Sequence, residues 1–499
     1  LSIQHRWLVL IVTLGIAALG FFLLLKLPID AVPDISNRIV QITTLCQSLS
    51  PSEAEKQVTF PIETALAGIP GLSSTRSLTR NGFSQVEAIF DDNVSIYFAR
   101  QQVMERLAEA REGLPPGAEP RMGPITTGLG EVYVYVIEYE HPDGKGAGPL
   151  DGQPGWQSDG SYLTPEGERL ITVVEKAAYL RTIQDWLVKP QLRTVKDVAG
   201  VDTIGGYEKQ YQVQPDPMKL VSYGLTMDDF VEALERNNAS SGAGFIEHKG
   251  EALNVRADGR VRTAQDIQSV VLGSKNGTPF YAKDVASVCI GEQLRTGAAS
   301  MNGEEVVVGT VLMLLGGNSR TVATSVSDKV AGIQMSLPPD VRLRPVLVRT
   351  ELVDKTIDTV THSLSLGAIL VIVVLLFLLG NLRAAIITAL AIPLAMLMTG
   401  LGMTKLGLSG NLMSLGAIDF GLIVDGAVIV VENCLRMIAE KQRELGRALN
   451  AKERLHEVFS ASRQMIQPSV AGQAIIITVY FPILALTGVE GKMFHPMAI

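Results

Sequence analysis

The chain has 499 residues, of which 47% are hydrophobic and 19% are charged, and its formal net charge is −8. This length exceeds one typical domain, and the negative charge argues against a nucleic-acid partner. The three cysteines are far apart and form no CxxC or Cys/His cluster, so neither a disulfide framework nor a zinc finger is predicted.

The N-terminal apolar run, Trp7–Leu27, is the first predicted membrane helix. At about 20 residues it is long enough to span the hydrocarbon core. A signal peptide is the alternative, but no small-x-small cleavage site follows, so we predict an uncleaved anchor. The sequence begins without a methionine and ends inside a new apolar run, FHPMAI. We therefore expect a piece of a longer protein.

The region after this anchor is predicted to lie outside the membrane and to fold into small α/β units. Ser50 and Glu53 form a capping box with a proline between them, which predicts a helix to about Leu66. Asn93 is expected to cap a second helix. Strands are predicted at 39–44, 73–79 and 84–90, the last two around an Asn81-Gly82 turn. The order β-α-β-β-α is most of a ferredoxin-like unit.

A strong strand, EVYVYVIEYE at 131–140, opens the next unit, and 141–160 is rich in Gly and Pro, which predicts a mobile surface insertion. Helices and strands alternate afterwards, with a separate module inserted between two β-α-β segments. The predicted elements are a helix at 174–196, strands at 201–204, 304–314 and 341–348, a helix at 325–335, and the inserted module at about 206–285.

Four further apolar runs and the start of another predict a clustered membrane region. The segment 434–463 holds seven Lys and Arg residues and is placed in the cytoplasm by the positive-inside rule. Residues 28–362 then fall in the periplasm of a Gram-negative cell. The predicted organisation is a first transmembrane helix at 1–27, an external unit at 28–122, a second external unit at 123–205 and 286–350, a unit inserted at 206–285, transmembrane helices at 363–379, 384–403, 412–433 and 466–487, a cytoplasmic amphipathic segment at 434–463, and the start of a sixth transmembrane helix at 494–499.

Six motifs occur in the order found in one transporter family. They are LPIDAVPDISN (27–37), VTFPIETALAGIPG (58–71), YFARQQVMERL (97–107), GPITTGLGEVY (123–133), DFGLIVDGAVIVVEN (419–433) and TGVEGKMFHPMA (487–498). The chain resembles the heavy-metal efflux branch of the resistance–nodulation–division exporters, of the cobalt–zinc–cadmium and cobalt–nickel type, over the first half of such a protein.

The resemblance implies a polytopic α-helical membrane protein with a large periplasmic α+β region of ferredoxin-like subdomains, the first half of a two-repeat architecture. It implies that 28–122 is porter subdomain 1, that 123–205 with 286–350 is porter subdomain 2, and that 206–285 is an inserted docking subdomain. It implies a secondary transporter of the inner membrane that exchanges divalent metal ions for protons. The expected assembly is a homotrimer with a periplasmic membrane-fusion adaptor and an outer-membrane channel. No cofactor is expected, since the metal ion and the protons are substrates.

Three acidic residues, Asp419, Asp425 and Glu432, stand in the apolar run of the fourth predicted span. At 100° per residue, Asp425 and Glu432 lie within about 20° of each other, whereas Asp419 is roughly 120° away from Asp425. Gly416 and two later glycines, Gly421 and Gly426, are expected to allow close helix packing.

Buried carboxylates are costly in a bilayer and persist where they serve a function such as a proton relay. In the resembled family the residues matching all three acidic positions are implicated in proton coupling. The alternative is a purely structural role, in which a carboxylate only pairs with a buried lysine or, for Glu432, lies at the membrane interface. Members that export monovalent copper and silver typically lack the first acid, so Asp419 favours Zn²⁺, Co²⁺, Ni²⁺ or Cd²⁺.

Metal ligands are less distinct. The resemblance makes Glu131 a candidate that faces the periplasmic cleft, with an ordinary strand-edge carboxylate as the alternative. Asp30 and Asp34 are candidates near a metal entry path, with turn stabilisation as the alternative.

Other functions stay open at this stage. They are a Cu⁺/Ag⁺ exporter of the same branch, a drug or lipid exporter of the wider family, a sensory or docking membrane protein, and an intramembrane aspartyl protease. The protease needs two aspartates that share a proton, and two aspartates six residues apart on one helix do not meet.

Overall fold

The computed structural model describes residues 5–24, 27, 29–30, 33–46, 49–148, 151–275, 277–293, 295, 297–411 and 420–499. The first part of the chain contains α1 (Arg6–Leu24), β1 (Arg38–Leu45), α2 (Pro51–Ala54), α3 (Phe60–Leu66), β2 (Leu72–Arg80), β3 (Phe83–Phe90), α4 (Ile96–Ala110) and β4 (Glu119–Met122). Next come β5 (Glu131–Tyr139), β6 (Gly155–Trp156), β7 (Tyr162–Leu163), β8 (Arg169–Leu170), α5 (Val173–Ile183), α6 (Lys189–Leu192) and β9 (Val198–Ile204).

The middle of the chain contains β10 (Lys209–Pro215), α7 (Pro217–Tyr223), α8 (Met227–Asn237), β11 (Ser240–His248), β12 (Glu251–Asp258), α9 (Ala264–Gln268), β13 (Val271–Lys275), β14 (Thr278–Tyr281), α10 (Ala282–Val285) and β15 (Ala286–Glu292). It is followed by β16 (Ala299–Met301), β17 (Glu304–Met313), α11 (Ser319–Gln334) and β18 (Val341–Val348). The remaining helices are α12 (Arg349–Leu379), α13 (Leu382–Ala389), α14 (Ala391–Leu406), α15 (Phe420–Leu445), α16 (Ala451–Leu484) and α17 (Gly488–Ala498).

The first unit is a four-stranded antiparallel sheet in the order β2-β3-β1-β4, with helices packed against it. The capping box predicted at Ser50 and Glu53 is present: each side chain bonds the backbone N–H of the other residue. The helix continues through a π-helical turn, Glu55–Thr59, into α3. The second cap was predicted wrongly, because the N-cap residue of α4 is Ser95 and not Asn93, and no side chain caps that end.

The second unit is a five-stranded sheet in which β17 pairs with β5, β9 and β16, and β18 pairs with the other edge of β5. Helices α5, α6 and α11 contribute to its core. The segment predicted as a mobile surface insertion is mostly exposed where it is described, but it is anchored on this core at Trp156, which is only 3% exposed and contacts Tyr139 edge-on at 5.3 Å. Its Gly and Pro content sets the turns around a buried anchor, and the strands β6-β7-β8 form a small sheet there.

The inserted unit contains the pair β10–β15 and two hairpins, β11–β12 and β13–β14. The boundary predicted at residue 285 is wrong, because β15 pairs with β10 along its whole length, from Ala286 opposite Pro215 to Glu292 opposite Lys209. Residues 286–292 therefore belong to the inserted unit and not to the second sheet.

Four helices of the described residues are long and apolar enough to cross a membrane: Arg6–Leu24, Arg349–Leu379, Leu382–Leu406 and Ala451–Leu484. The third of these breaks at Leu390, where Pro393 cannot donate a hydrogen bond to the preceding turn. The predicted limits of the cytoplasmic segment, 434 and 463, fall inside continuous helices. Helix α15 runs on to Leu445, and α16 begins at Ala451, so the segment consists of two helix extensions joined by a short link.

Candidate site on helix α15

One face of α15 is exposed and carries Asp425 and Glu432, two of the four acidic residues in the described part of this helix. Asp425, Ile429, Glu432 and Arg436 are all exposed, and at about 100° per residue they fall within roughly 60° of each other around the helix. We call these four residues the open stripe. Neither carboxylate makes a hydrogen bond or an ion pair with another residue in the described part of the chain.

A second face of α15 packs on α16 through Gly426. A Cβ atom placed on Gly426 would lie 2.6 Å from Nε2 of Gln473 and 3.2 Å from Oγ of Ser469. The helices can approach this closely because glycine has no side chain. Gly426 follows Asp425 directly, so the packed face lies about 100° from the open stripe.

The same packed face contains Asn433, two turns further along α15. Its side chain is only 5% exposed, and Nδ2 donates to the backbone carbonyl of Ala461 at 3.0 Å. The Asn433 Oδ1 atom accepts from the guanidinium of Arg436 at 3.0 Å. One buried amide therefore joins α15 to α16 and also holds the arginine of the open stripe.

A third face of α15 packs on α12, α13 and α14. Val428 lies against an apolar cluster that includes Leu375, Ala385 and Ile392, all of them buried. Two faces of α15 are thus covered by neighbouring helices, and the acidic face is not. This arrangement leaves Asp425 and Glu432 free to meet groups that do not belong to these helices.

The other residues predicted for this site are only partly described. Asp419 and Gly416 lie outside the described residues. Gly421 lies in α15, and the structure describes nothing further of its surroundings. The structure therefore places Asp425 and Glu432 together on one stripe, and leaves the position of Asp419 as an expectation.

The three predicted periplasmic ligands do not come together. Glu131 begins β5 and its backbone pairs with Leu312 of β17, but its exposed carboxylate makes no hydrogen bond or ion pair with another described residue. The Asp30 carboxylate accepts a hydrogen bond from the Ser319 hydroxyl, and its N–H donates to the carbonyl of Gly410 at 2.9 Å. Asp34 accepts from the N–H of Ser36 at 3.0 Å, as in a turn. No group of three or more His, Cys, Asp or Glu residues suited to a metal ion occurs among the described residues.

Sequence reasoning missed the role of Asn433. In the sequence, Asn433 is only the last residue of the motif DFGLIVDGAVIVVEN, next to Glu432. A buried amide in an apolar helix seeks a partner on a neighbouring helix, so its position in the run was a usable signal.

Comparisons with known proteins agree with this architecture. Residues 1–499 match the AcrB/AcrD/AcrF family. The chain is 55% identical to the "Nickel-cobalt-cadmium resistance protein NccA" of Alcaligenes xylosoxydans xylosoxydans, over 100% of this chain and 46% of that protein. It is 51% identical to the "Cobalt-zinc-cadmium resistance protein CzcA" of Cupriavidus metallidurans, over 100% of this chain and 44% of that protein.

A solved structure, titled "X-ray crystal structure of a heavy metal efflux pump, crystal form II", is 31% identical with a TM-score of 0.83, and the match covers 100% of this chain and 45% of that one. The chain spans about half the length of the curated relatives that it matches. The match extends over every described unit, both the sheets and the membrane helices. The chain therefore belongs to the AcrB/AcrD/AcrF family, as its resemblance to resistance–nodulation–division exporters predicted.

Proposed function

We propose that this chain forms the first half of a proton-driven exporter of divalent heavy-metal ions, a secondary transporter and not an enzyme. The observation that carries the proposal is the open stripe, which presents Asp425 and Glu432 on the uncovered face of a helix in the membrane region. The names of the most similar relatives support heavy metals as the substrate class.

The mechanism follows from the cost of charge in a membrane. Once a second repeat covers the open stripe, a lone charge there is costly in the bilayer, so each carboxylate has to be paired or neutralised by a proton. Each proton that enters down a potential of 100 mV releases about 2.3 kcal/mol. Protonation of Asp425 removes its charge and changes which partners α15 attracts. We infer that this change drives the helix movement that releases metal on the far side.

The architecture is proposed to be half of two tandem repeats in the inner membrane of a Gram-negative cell. The chain order β-α-β-β-α-β with strand order β2-β3-β1-β4 supports a ferredoxin-like first subdomain. The proposed assembly is a homotrimer that joins a periplasmic adaptor and an outer-membrane channel. The family membership and the relatives' names support this assembly.

Among the periplasmic acids, Glu131 is the best-supported metal ligand, because its carboxylate is exposed and is not engaged by another described residue. Asp30 and Asp34 are weaker candidates, because their carboxylates already accept hydrogen bonds, from the Ser319 hydroxyl and from the Ser36 N–H. The acid at position 419 favours Zn²⁺, Co²⁺, Ni²⁺ or Cd²⁺ over monovalent ions. The relatives named for nickel, cobalt, zinc and cadmium support the same choice.

The test is Asp425→Asn in the full-length transporter, expressed in a metal-sensitive host. The amide keeps the shape and removes the titration, so we expect loss of Ni²⁺, Co²⁺ and Zn²⁺ resistance with normal membrane insertion and assembly. Glu440→Gln is the matched control, since Glu440 is exposed on the same helix about four turns beyond Asp425, past the apolar run. Full resistance in the Asp425→Asn variant would contradict the proposed proton role.

A further inference from the structure

Lys492, in α17, makes two contacts with the first sheet unit. Its Nζ atom lies 2.6 Å from Oδ1 of Asp92, and it also donates to the backbone carbonyl of Ser36 at 2.9 Å. The lysine side chain is only 20% exposed, whereas that of Asp92 is 51% exposed. An ammonium group has three donors, so it can bind the carboxylate and the carbonyl at once.

Both partners lie at one end of the first sheet. Asp92 is the second residue after β3, and Ser36 lies just before β1, whose first residue, Arg38, pairs with Phe90 of β3. The Nε atom of Arg38 donates to the carbonyl of Asp92 at 3.1 Å. Two cations therefore hold the end of β3, one from within the sheet and one from α17.

Helix α17 is joined tightly to α16. Only residues 485–487 separate the two helices. A Cβ on Gly491 would lie 2.6 Å from the carbonyl oxygen of Leu486, a backbone atom that cannot rotate away. The end of α16 and the start of the helix that carries Lys492 are therefore held in close contact.

Helix α16 is in turn joined to the helix that carries the open stripe, through Gly426 and Asn433. The described contacts thus form a physical series from Asp425 through α15, α16 and α17 to the first sheet. We infer that Lys492 is a positioning residue, which couples the protonation state of Asp425 to the end of β3 through its two-sided contact with Asp92 and Ser36. This inference rests on the proposed proton role of Asp425.

The test measures hydrogen exchange in the purified full-length protein, in nanodiscs, at one pH. Asp425→Asn stands for the protonated acid. We expect it to change the exchange rate of amides in residues 83–95 by about 5-fold or more, the scale of a coupled equilibrium. In the Lys492→Met background this change is expected to disappear, and in Lys492→Arg to remain, because arginine keeps the charge and the donors.

Two controls separate coupling from damage to the fold. Lys441→Met removes a lysine from an exposed pair with Glu444 on α15, and is expected to leave the exchange response intact. Reversal of the pair by Lys492→Asp with Asp92→Lys restores the ion pair but not the bond to the Ser36 carbonyl, because a carboxylate has no donor, so we expect part of the response that either single reversal removes to return. This double variant keeps the test valid even where Lys492→Met folds poorly.

Two results would overturn the inference. One is an equal exchange response with and without Lys492, and the other is no response to Asp425→Asn in the otherwise unchanged protein. Failure of the unchanged protein to carry metal would instead overturn the proposed function. The exchange experiment does not depend on transport, so it decides the coupling in either case.

Discussion

Gly426 of α15 and Gln473 of α16 lie so close that a Cβ on the glycine would stand 2.6 Å from the Nε2 atom of the glutamine. The atom met there is the flexible end of a side chain, not backbone. A single methyl group can therefore be accommodated by rotation of Gln473, and a larger group cannot. This contact lies one residue from Asp425, so it fixes how the acidic face of α15 is turned.

Substitution of Gly426 is expected to depend steeply on size. Gly426→Ala is expected to keep resistance near the unchanged level, and Gly426→Leu to separate α15 from α16 and lower metal resistance at least about 10-fold. Resistance assays with the full-length protein, corrected for its amount in the membrane, make this measurement. Gly472→Leu is the control, because nothing lies within 4 Å of a Cβ at that position. Equal losses at positions 426 and 472 would contradict the close-packing explanation.

Asn433→Leu is expected to destabilise the pair of helices. The change removes the bond to the Ala461 carbonyl and the hold on Arg436, and interhelical bonds of this kind contribute about 0.6–1.7 kcal/mol. The measurement is the midpoint of unfolding in detergent. Gln464→Leu serves as the control, since its own bond to Asn433 is 3.5 Å long and its loss should cost less. An unchanged midpoint in Asn433→Leu would show that the amide is dispensable.

Asp340 holds the segment that contains Trp156 against the second sheet. Its carboxylate accepts from Nε1 of Trp156 at 2.6 Å and from the N–H of His141 at 3.1 Å. Asp340→Ala is expected to cost about 2–3 kcal/mol, because charged hydrogen bonds are lost and a buried indole N–H is left without an acceptor. Asp340 also has a φ of 65°, which alanine adopts poorly.

Tryptophan emission is the measurement for Asp340, since Trp156 is buried whereas Trp186 is 82% exposed. The alanine variant is expected to shift emission to the red as Trp156 meets water. Asp340→Asn is the matched control: asparagine tolerates the same backbone angle and keeps one acceptor, so its shift should be smaller. A larger red shift of the emission in Asp340→Asn than in Asp340→Ala would contradict this account.

The start of α5 provides a pH-dependent contribution to stability. The backbone N–H groups of Thr172 and then Ile171 donate to the Glu175 carboxylate and lower its pKa in the folded state. A lowered folded pKa stabilises the fold above the unfolded pKa, near 4.5, and the stabilisation is lost as the pH falls below that value. Because Glu175 is exposed, solvent screening limits the effect to about 0.5 kcal/mol.

Comparison of Glu175→Gln with the unchanged protein tests whether the ionised carboxylate stabilises this end of α5. Hydrogen exchange in α5 is expected to be faster in the variant at pH 7, and the two proteins should converge at pH 3. Glu112→Gln, at an exposed position in the extramembrane region, is the control and should show no pH-dependent difference. A difference that grows as the pH falls would mean that the charge destabilises this helix end.

Local patterns predicted some features well. The capping box at Ser50 was predicted from a spacing of three residues, and the structure contains it. The helical period placed Asp425 and Glu432 on one face, and both are exposed on one stripe of α15. These features depend on residues within two helical turns of each other, so the sequence alone is sufficient to predict them.

Features that depend on distant partners were not predictable in the same way. The segment around Trp156 was expected to be mobile from its Gly and Pro content, but its indole bonds Asp340, 184 residues away. The contact between Lys492 and Ser36 joins residues 456 apart. The pairing of β15 with β10 moved a predicted domain boundary for the same reason. Amino-acid composition indicates the local tendency of a segment, whereas contacts with residues far away in the chain decide whether the segment is fixed in place.

The junction of β18 and α12 contains no loop, since the strand ends at Val348 and the helix begins at Arg349. The 31 residues of α12 form a rod of about 46 Å. Because no loop intervenes, the direction of the strand fixes the rotation of this rod about its own axis. One residue inserted in the exposed part of the rod would turn everything beyond it by about 100°, and seven residues would restore the original phase to within about 20° while adding roughly 10 Å. An insertion in this rod is therefore expected to keep the contacts beyond it only when its length returns the same helix face to the same side, as seven residues do.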